Sequence, residues 1–228
     1  MKLLLPNPFA ERRYKKYSYS QCGEDLIVDF IFSSIKIQNP TYLDIGAHHP
    51  TYLNNTALLY KKGCRGINIE PDPILFKLFK KFRKRDINLN FGISSHEGTM
   101  DFYQMSSPSM NTFSKEEAED LVHLHGMTIR NILQLPVQTL QKVIEHYCDD
   151  FPDFLNLDVE GFELEVLHNI DYKHAYPKII CVETLSFDTR GHGKKDLDFI
   201  KFLQGKDYIF YADTYINSIF VRRSYWER

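Results

Sequence analysis

Short apolar runs alternate along this chain with longer segments in which apolar residues recur every three or four positions. The runs are typical of buried strands, and the repeats are typical of amphipathic helices. The clearest helix is predicted to begin at Pro73, because Asp72 is placed to cap it and the apolar side chains that follow share one face (Ile74, Leu75, Leu78, Phe79 and Phe82). The basic run 80–85 closes this helix, where cations favour the negative end of the helix dipole.

The alternation of the two patterns predicts an α/β fold. Helices are predicted to start after Ser20 and at 55–62, 73–82, 116–124, 162–169 and 196–203. Strands are predicted at 41–45, 66–70, 87–91, 99–103, 154–158, 178–183, 208–212 and 216–222. Strands that alternate with helices are joined by parallel crossovers. The predicted architecture is therefore a doubly wound, mostly parallel sheet whose last two strands form an antiparallel hairpin at its edge.

Length and polarity indicate one domain with two additions. A chain of 228 residues fits a single α/β domain. Residues 1–19 are predicted to form an N-terminal extension. Residues 106–134 are polar and irregular in pattern, and we interpret them as a flap inserted into the domain.

Composition argues against two classes of partner. The net charge is −2, so no broad basic field points to nucleic acid as the main partner. The apolar start is broken at once by Pro6 and Pro8, and no signal peptide or membrane span is predicted. The four cysteines are widely spaced and form no CxxC pair, which fits a reducing compartment, so a cytoplasmic location is predicted.

Four of the predicted strands end in a carboxylate. These residues are Asp44, Glu70, Asp158 and Glu183. In open α/β sheets, ligands bind outside the carboxyl ends of the strands, where the strand order reverses. One such residue is often only a cap or part of a turn. Four together predict a ligand site at this edge of the sheet.

The turn after the first strand favours a cationic ligand over a phosphate. It has one glycine, Gly46, where a dinucleotide-binding turn has three, and Pro50 removes an amide donor. S-adenosylmethionine carries an ammonium and a sulfonium and no phosphate. A strand-end carboxylate, Asp44, beside a glycine suits that ligand better than a pyrophosphate.

The end of the second strand suits a nucleoside. Glu70 occupies the position from which a carboxylate accepts both ribose hydroxyl hydrogens, and Pro71 is placed to pack on adenine. The alternative is that Glu70 and Asp72 only cap the helix that follows.

Four motifs, in this order, resemble the FkbM family of methyltransferases. They are Ser20-Gln21-x-Gly23-Glu24-Asp25, Leu43-Asp44-Ile45-Gly46-Ala47-His48-His49-Pro50, Asn68-Ile69-Glu70-Pro71-Asp72 and Leu157-Asp158-Val159-Glu160-Gly161-Phe162-Glu163. The resemblance covers roughly three-quarters of the chain, from Ser20 to about Leu185. It implies a Rossmann-like class I methyltransferase fold, S-adenosylmethionine as methyl donor, and usually O-methylation, often of sugars in surface polysaccharides, glycolipids or secondary metabolites.

The resemblance also implies roles for individual residues. It places Asp44 and Gly46 near the methionine moiety, Glu70 at the ribose, and the turn Asn90-Phe91-Gly92-Ile93-Ser94 beside the adenine. Ala47 and Pro71 complete the predicted cofactor contacts. Asp158 and Glu160 are implied at the catalytic mouth. Gln21 and Glu24 either reach the cofactor from the N-terminal helix, as a lid, or only begin that helix.

A hydroxyl acceptor is a weak nucleophile and gains from a general base. Asp158 is the first candidate, with His48 and His49 as rivals on the first turn and Glu160 close by in sequence. Asp158 alternatively binds the cofactor ammonium or the acceptor hydroxyl. A divalent cation held by Asp158 with Glu160 or Glu183 is compatible with these carboxylates, but nothing in the sequence requires it, and no metal ligand is assigned.

The predicted function is S-adenosylmethionine-dependent O-methylation of a small-molecule or glycan acceptor, with a sugar hydroxyl as the expected target. Two other classes stay open. One is a glycan- or partner-binding module that retains an inactive methyltransferase scaffold, because a fold does not guarantee an activity. The other is an NAD-dependent oxidoreductase, which the missing glycines disfavour.

Overall fold

The computed structural model describes residues 14–159, 161–185 and 195–227. Its strands are β1 (Tyr42–Ile45), β2 (Gly66–Ile69), β3 (Ile87–Leu89), β4 (Gly92–Ile93), β5 (Gly98–Met105), β6 (Ile129–Gln138), β7 (Phe154–Leu157), β8 (Ile179–Glu183), β9 (Tyr208–Asp213) and β10 (Asn217–Arg222). Its α-helices are α1 (Glu24–Ser34), α2 (Ala57–Lys61), α3 (Pro73–Phe82), α4 (Lys115–His125), α5 (Leu140–Tyr147), α6 (Glu163–His168), α7 (Leu197–Gly205) and α8 (Arg223–Trp226).

Seven of these strands form the central sheet, in the order β3-β2-β1-β7-β8-β10-β9. The chain runs outward from β1 to β3 and then returns to place β7 beside β1, so the strand order reverses between β1 and β7. All pairings from β3 to β8 are parallel. The doubly wound, mostly parallel sheet predicted from the sequence is confirmed, and its switch point opens a crevice at the carboxyl ends of β1 and β7.

The antiparallel C-terminal hairpin predicted at the edge of the sheet is found as β9 and β10. β10 is antiparallel to both β8 and β9, so β9 runs in the same direction as the parallel strands. The antiparallel strand is therefore inside the sheet, and the edge strand is not the antiparallel one. Burial explains the order, because five of the six β10 residues are buried whereas β9 is mostly half-exposed.

Helices cover both faces of the sheet, and strand residues alternate between the two. On one face, Leu43 and Leu155 pack with residues of α5, α6 and α7. On the other face, Tyr42 and Phe154 pack with residues of α1 and α2. Because both faces of the sheet are covered, residues that point to either face are buried, so the short strands are apolar at every position except a few internal polar ones.

The helix predicted at Pro73 is confirmed together with its cap. The Asp72 carboxylate accepts hydrogen bonds from the amides of Ile74 and Leu75, at 2.7 and 3.3 Å. Arg83 follows the last residue of α3 and is fully buried rather than solvated. The basic run at this helix end therefore does more than complement the helix dipole.

A second sheet of three strands, in the order β4-β6-β5, lies beside the central one. The strand predicted at 99–103 is found as the longer β5, and the helix predicted at 116–124 is found as α4. The strand β6 and the helix α5 were not predicted. Most of β6 is exposed or half-exposed and it contains Pro136, so its apolar alternation is too weak to indicate a strand.

Two further features concern the ends of the chain and the membrane. The described part of the predicted extension is tied to α1, since the Ser18 hydroxyl and the Tyr19 amide both donate to Asp25, each at 2.7 Å. Residues 1–13 lie outside the described residues. No helix within the described ranges is long and apolar enough to cross a bilayer.

Candidate active site

A cavity of about 500 Å³ opens at the carboxyl ends of β1, β2, β7 and β8. Three carboxylates line it, those of Glu70, Asp158 and Glu183, and no lysine or arginine does so among the described residues. The rest of the wall is mainly apolar. It comes from the segment 91–93, from Phe102 of β5, from 107–113 and Met127 of the flap, and from 215–217 where β9 turns into β10. The cavity is therefore shaped for a ligand that is partly apolar and carries positive charge.

Gly46 brings the ends of β1 and β7 into contact at the cavity floor. Its φ is 73°, and a Cβ at this position would lie 1.6 Å from the carbonyl oxygen of Asp158. No other residue fits there, because the obstacle is backbone. Gly46 also lines the cavity, so one glycine serves both the strand packing and the approach of a ligand.

The amides of the turn after β1 are used within the protein. Those of Gly46 and Ala47 donate to the carbonyl of Ile69, each at 3.1 Å. The next amide, that of His48, donates to the Glu70 carboxylate at 2.7 Å. A pyrophosphate needs such amides as donors, so this turn is not built to hold one.

Asp44 lies beneath the cavity and does not line it. Its side chain is fully buried and accepts hydrogen bonds from Asn54, Thr56 and Asn156, at 3.0, 2.7 and 2.8 Å. Asn54 also donates to the carbonyl of Ala47, at 3.0 Å. Burial raises the pKa of Asp44 against the effect of these bonds. Asp44 thus positions the turn rather than presenting a carboxylate to the ligand.

Arg83 supports this network from below. Its guanidinium donates to Thr56 Oγ1 at 2.5 Å and to Asp86 Oδ2 at 3.0 Å, and only 1% of the residue is exposed. The guanidinium also lies over the rings of Tyr42 and Tyr60. A buried charge is tolerated only when it is paired in this way. Nothing in the sequence distinguished Arg83 from its basic neighbours.

Glu70 both holds the backbone and faces the cavity. One carboxylate oxygen accepts from the His48 amide at 2.7 Å, and the other accepts from the Asp72 amide at 2.8 Å. Burial, with the charges of Asp72 and Asp44, raises the pKa of Glu70 to about 8. Each oxygen retains a second lone pair for a hydroxyl of the ligand. The capping and binding interpretations of Glu70 are therefore compatible.

Of the two residues predicted beside the adenine, Asn90 supports the cavity from outside and Gly92 forms part of its wall. The Asn90 side chain donates to the carbonyls of Glu70 and Pro71, each at 2.8 Å, and it does not line the cavity. Gly92 does line it, and a Cβ there would meet the Phe113 ring of the flap at 2.4 Å. Pro71 and Phe113 also line the cavity, so the side of the cavity near Gly92 is apolar.

Asp158 and Glu183 form a hydrogen-bonded carboxyl pair. Burial raises the pKa of both groups, and the nearby charges of Glu163 and Glu117 add to the effect. The hydrogen bond between them acts in opposite directions, since it lowers the pKa of Asp158 and raises that of Glu183. Two carboxylates in contact cannot both ionise readily, so the pair shares a proton near neutral pH. Glu163 also accepts from the amides of Val159 and Gly161, which orders the loop after β7.

The two histidines differ in position. His48 lines the cavity with a φ of 54°, and burial together with His49 lowers its pKa, so the ring is neutral at pH 7. His49 does not line the cavity. Its Nδ1 accepts from the Thr51 amide at 3.3 Å, and its ring stacks on Tyr52 with 3.9 Å between centroids. His49 therefore stabilises the loop after β1.

Gln21 and Glu24 are likewise separated by the structure. Gln21 lines the cavity, as a lid residue would. Glu24 is buried and accepts from Thr214, Asn217 and the Cys22 amide, at 2.7, 3.0 and 2.8 Å. Although burial acts to raise it, these bonds hold the pKa of Glu24 below its usual value. Glu24 joins the start of α1 to the turn between β9 and β10.

The predicted site residues thus fall into three groups. Those that line the cavity are Gln21, Gly46, His48, Glu70, Pro71, Gly92 and Asp158. Those that support it without lining it are Glu24, Asp44, Ala47, His49 and Asn90. Glu160 lies outside the described residues. Within the described ranges, no group of three or more His, Cys, Asp or Glu side chains is arranged to hold a metal ion.

The strand order and the cavity at its switch point define a class I methyltransferase fold. Residues 44–210 match the family model for the methyltransferase FkbM domain. The chain belongs to the FkbM methyltransferase family, as its motifs indicated, and it is an S-adenosylmethionine-dependent methyltransferase.

Two solved structures resemble the chain at 12% sequence identity. One is a precorrin-6y C5,15-methyltransferase from Geobacter metallireducens GS-15, with a TM-score of 0.43 over 86% of this chain and 87% of that one. The other is a TehB-like SAM-dependent methyltransferase from Corynebacterium glutamicum ATCC 13032, with a TM-score of 0.44 over 94% of this chain and 96% of that one. No protein with a curated description matches the sequence.

Proposed function

We propose that this methyltransferase transfers the methyl group to a hydroxyl oxygen, and that the hydroxyl belongs to a sugar. The observation that carries the proposal is the Asp158–Glu183 pair on the cavity wall, with its raised pKa values. A hydroxyl has to lose its proton during transfer, whereas a neutral amine attacks through a lone pair. A carboxyl pair that titrates close to neutral pH is a suitable base for that step.

The walls of the cavity fit S-adenosylmethionine, which supplies an electrophilic methyl group on its sulfonium when bound. Glu70 is proposed to accept the two ribose hydroxyls, and Pro71 and Gly92 to enclose the adenine. The negative charge that the Asp158–Glu183 pair keeps while it shares one proton attracts the cationic ligand, and no lysine or arginine on the described wall opposes that attraction. An NAD cofactor would find the amides of the turn after β1 already used, and no lysine or arginine on the described wall to pair with its pyrophosphate.

Asp158 is proposed as the general base, with the protonated Glu183 donating to it. The positive charge of the cofactor favours the ionised form of Asp158, so binding prepares the base. Because catalysis of an in-line displacement depends mainly on placement, Asp158 also orients the acceptor hydroxyl. His48, which is neutral and lines the same cavity, is the rival base.

Titration calorimetry with S-adenosylmethionine and S-adenosylhomocysteine tests the cofactor roles. Glu70→Gln is expected to weaken binding of both roughly 10- to 100-fold, because the side-chain NH₂ group cannot accept a hydrogen bond from a backbone amide or from a ribose hydroxyl. The matched control is Glu145→Gln on the exposed face of α5, which leaves affinity unchanged. Unchanged affinity in Glu70→Gln would remove Glu70 from the ribose site.

Methyl transfer to a panel of glycans, followed by mass spectrometry, tests the chemistry. Asp158→Asn is expected to lower kcat roughly 100-fold or more with a smaller effect on cofactor affinity. A loss of that size in His48→Gln instead, with Asp158→Asn nearly active, assigns the base to His48. Tight cofactor binding without transfer to any glycan or small alcohol favours the binding-module alternative.

A cytoplasmic location belongs to the same proposal and is checked by cell fractionation.

A further inference from the structure

Three non-glycine residues that line the cavity have a left-handed backbone, and two of them carry side chains for which that conformation is unfavourable; the third is His48. Leu53 has a φ of 47° and Tyr215 a φ of 76°. In this left-handed region the Cβ of an ordinary residue approaches the carbonyl oxygen too closely, so glycine or asparagine is expected there. Both residues line the cavity.

Burial does not compensate for this strain. Leu53 is 46% exposed and Tyr215 is 52% exposed, although both are large and apolar. A leucine or a tyrosine gains little by replacing glycine at an exposed, left-handed position. Strained residues that persist in folded proteins cluster at ligand sites, where the conformation itself is used.

Hydrogen bonds fix the backbone at Tyr215 and next to Leu53. The Tyr215 amide donates to Asp213 Oδ1 at 2.7 Å, and its carbonyl accepts from Lys195 Nζ at 2.9 Å. Lys195 and Asp213 are themselves ion-paired at 2.7 Å. On the other side, Leu53 precedes Asn54, whose side chain is fixed by Asp44 and whose amide donates to the Tyr19 carbonyl at 3.0 Å.

The charge around these residues restricts what they contact. The carboxyl groups of Asp158 and Glu183 line the same cavity, and Glu117 and Glu163 add negative charge beside them. No lysine or arginine lines the cavity among the described residues, and Lys195 is engaged with Asp213. An anionic acceptor, such as a uronate or a sugar phosphate, is repelled from this environment.

We propose that Leu53 and Tyr215 are specificity-determining residues of the acceptor site, and that they select an uncharged sugar ring by packing on its C–H faces. The inference rests on the proposed function, because it takes the acceptor hydroxyl to point toward Asp158. An aromatic face suits such a ring, since its C–H groups carry slight positive charge and the aromatic face slight negative charge.

Saturation-transfer NMR on the protein loaded with S-adenosylhomocysteine tests this proposal. The probes are the methyl glycosides of glucose, galactose and rhamnose, with glucuronate and glucose 1-phosphate as anionic counterparts. The neutral glycosides are expected to receive saturation at their ring C–H protons, and the anionic sugars are expected to receive none. Tyr215→Gly and Leu53→Gly are each expected to weaken glycoside binding roughly tenfold.

Two controls separate this role from an effect on folding. Lys36→Gly relieves the same kind of strain at an exposed residue with a φ of 60° that does not line the cavity, and it should leave glycoside binding unchanged. Tyr215→Phe keeps the ring and should also retain binding. All three glycine variants should have melting temperatures equal to or above that of the wild type, because the strain is relieved.

Three results would overturn the proposal while the cofactor site remains sound. They are glycoside binding that is unaffected in both Tyr215→Gly and Leu53→Gly, anionic sugars that bind as well as neutral ones, and no saturation transfer to any neutral glycoside. Failure of S-adenosylhomocysteine to bind is a separate result, detected by calorimetry on the same sample. That result would contradict the proposed cofactor site itself, and with it this inference.

Discussion

At Gly46, a φ of 73° and the carbonyl oxygen of Asp158, which would lie 1.6 Å from an added Cβ, both require glycine. Gly63 has a φ of 102°, but a Cβ there would meet nothing within 4 Å. The two positions therefore separate the effect of backbone conformation from the effect of a steric clash. The clash at Gly46 affects the pairing of β1 with β7, on which the whole cavity floor depends.

We expect Gly46→Ala to destabilise the fold by about 3 kcal/mol or more, because backbone atoms of Asp158 must move to admit the methyl group. Gly63→Ala should cost about 1 kcal/mol, since only the left-handed backbone opposes it. Urea unfolding of both variants provides the comparison. Equal losses of unfolding free energy in the two variants would contradict the close approach of β1 to β7 at Gly46.

Single residues were predicted best where their role is local. The cap by Asp72 follows from its position before Pro73, and Glu70 was placed at the end of β2 by its position after an apolar run. Asp44 was predicted as a ligand contact for the same reason, and the structure places its carboxylate beneath the cavity rather than in its wall. Its carboxylate is satisfied by Asn54, Thr56 and Asn156, and no local pattern indicates those partners.

At the scale of elements, Asp72 joins α3 to the second sheet. Its Oδ1 caps the helix, and its Oδ2 accepts from the side-chain amides of Gln104, at the end of β5, and Asn111, at 2.7 and 3.1 Å. Phe113, two residues further on, packs over Gly92. The flap is therefore fastened to the cofactor side of the cavity through one carboxylate.

Asp72→Asn is expected to separate these two functions. Asparagine caps helices about as well as aspartate, so stability should change by less than about 1 kcal/mol. Its NH₂ group would face the amide donors of Gln104 and Asn111, so the flap should loosen and affinity for S-adenosylhomocysteine should fall several-fold. Calorimetry and limited proteolysis of the flap measure both effects. Asp72→Ala, which loses the cap as well, serves as the comparison.

The elements missed from the sequence are those whose stability comes from their partners. β6 pairs with β5 over eight residues of that strand, yet its own sequence is mostly polar and interrupted by Pro136. The alternation that indicates a strand depends on one buried face, and β6 has little of it. α5 is short and begins directly after β6, so no separate loop marked its start.

At the scale of the whole molecule, one edge of the sheet concentrates carboxyl groups whose pKa is raised by burial. Asp44, Glu70, Asp158 and Glu183 all belong to this set. The native state therefore holds protons that the unfolded chain, with ordinary carboxyl pKa values, has already released. At pH values between the unfolded-state pKa and the native-state pKa of these carboxyl groups, stability therefore falls as the pH rises.

The free protein is accordingly expected to lose stability as the pH rises from about 5 to about 8, the range between an ordinary carboxyl pKa and the raised pKa of Glu70, and the Asp158–Glu183 pair adds to the slope. Burial lowers the pKa of His48 and His49, so their opposing contribution is complete by about pH 7. Thermal unfolding at several pH values measures the slope. Glu183→Gln should flatten it, and stabilisation by S-adenosylmethionine should grow over the same range. A flat profile in the wild type would contradict the raised pKa values.

What the sequence determined by itself was the α/β class, the four acidic strand ends, the single glycine of the first turn and the family motifs. Each of these depends on residues within one strand, one helix or one turn, so it is visible in local order. The tertiary structure decided which acids face the cavity, because that depends on partners distant in the chain, such as Asn156 for Asp44 and Glu183 for Asp158. It also decided that Leu53 and Tyr215 stay exposed in strained conformations, since exposure is a property of the packed molecule and not of any segment.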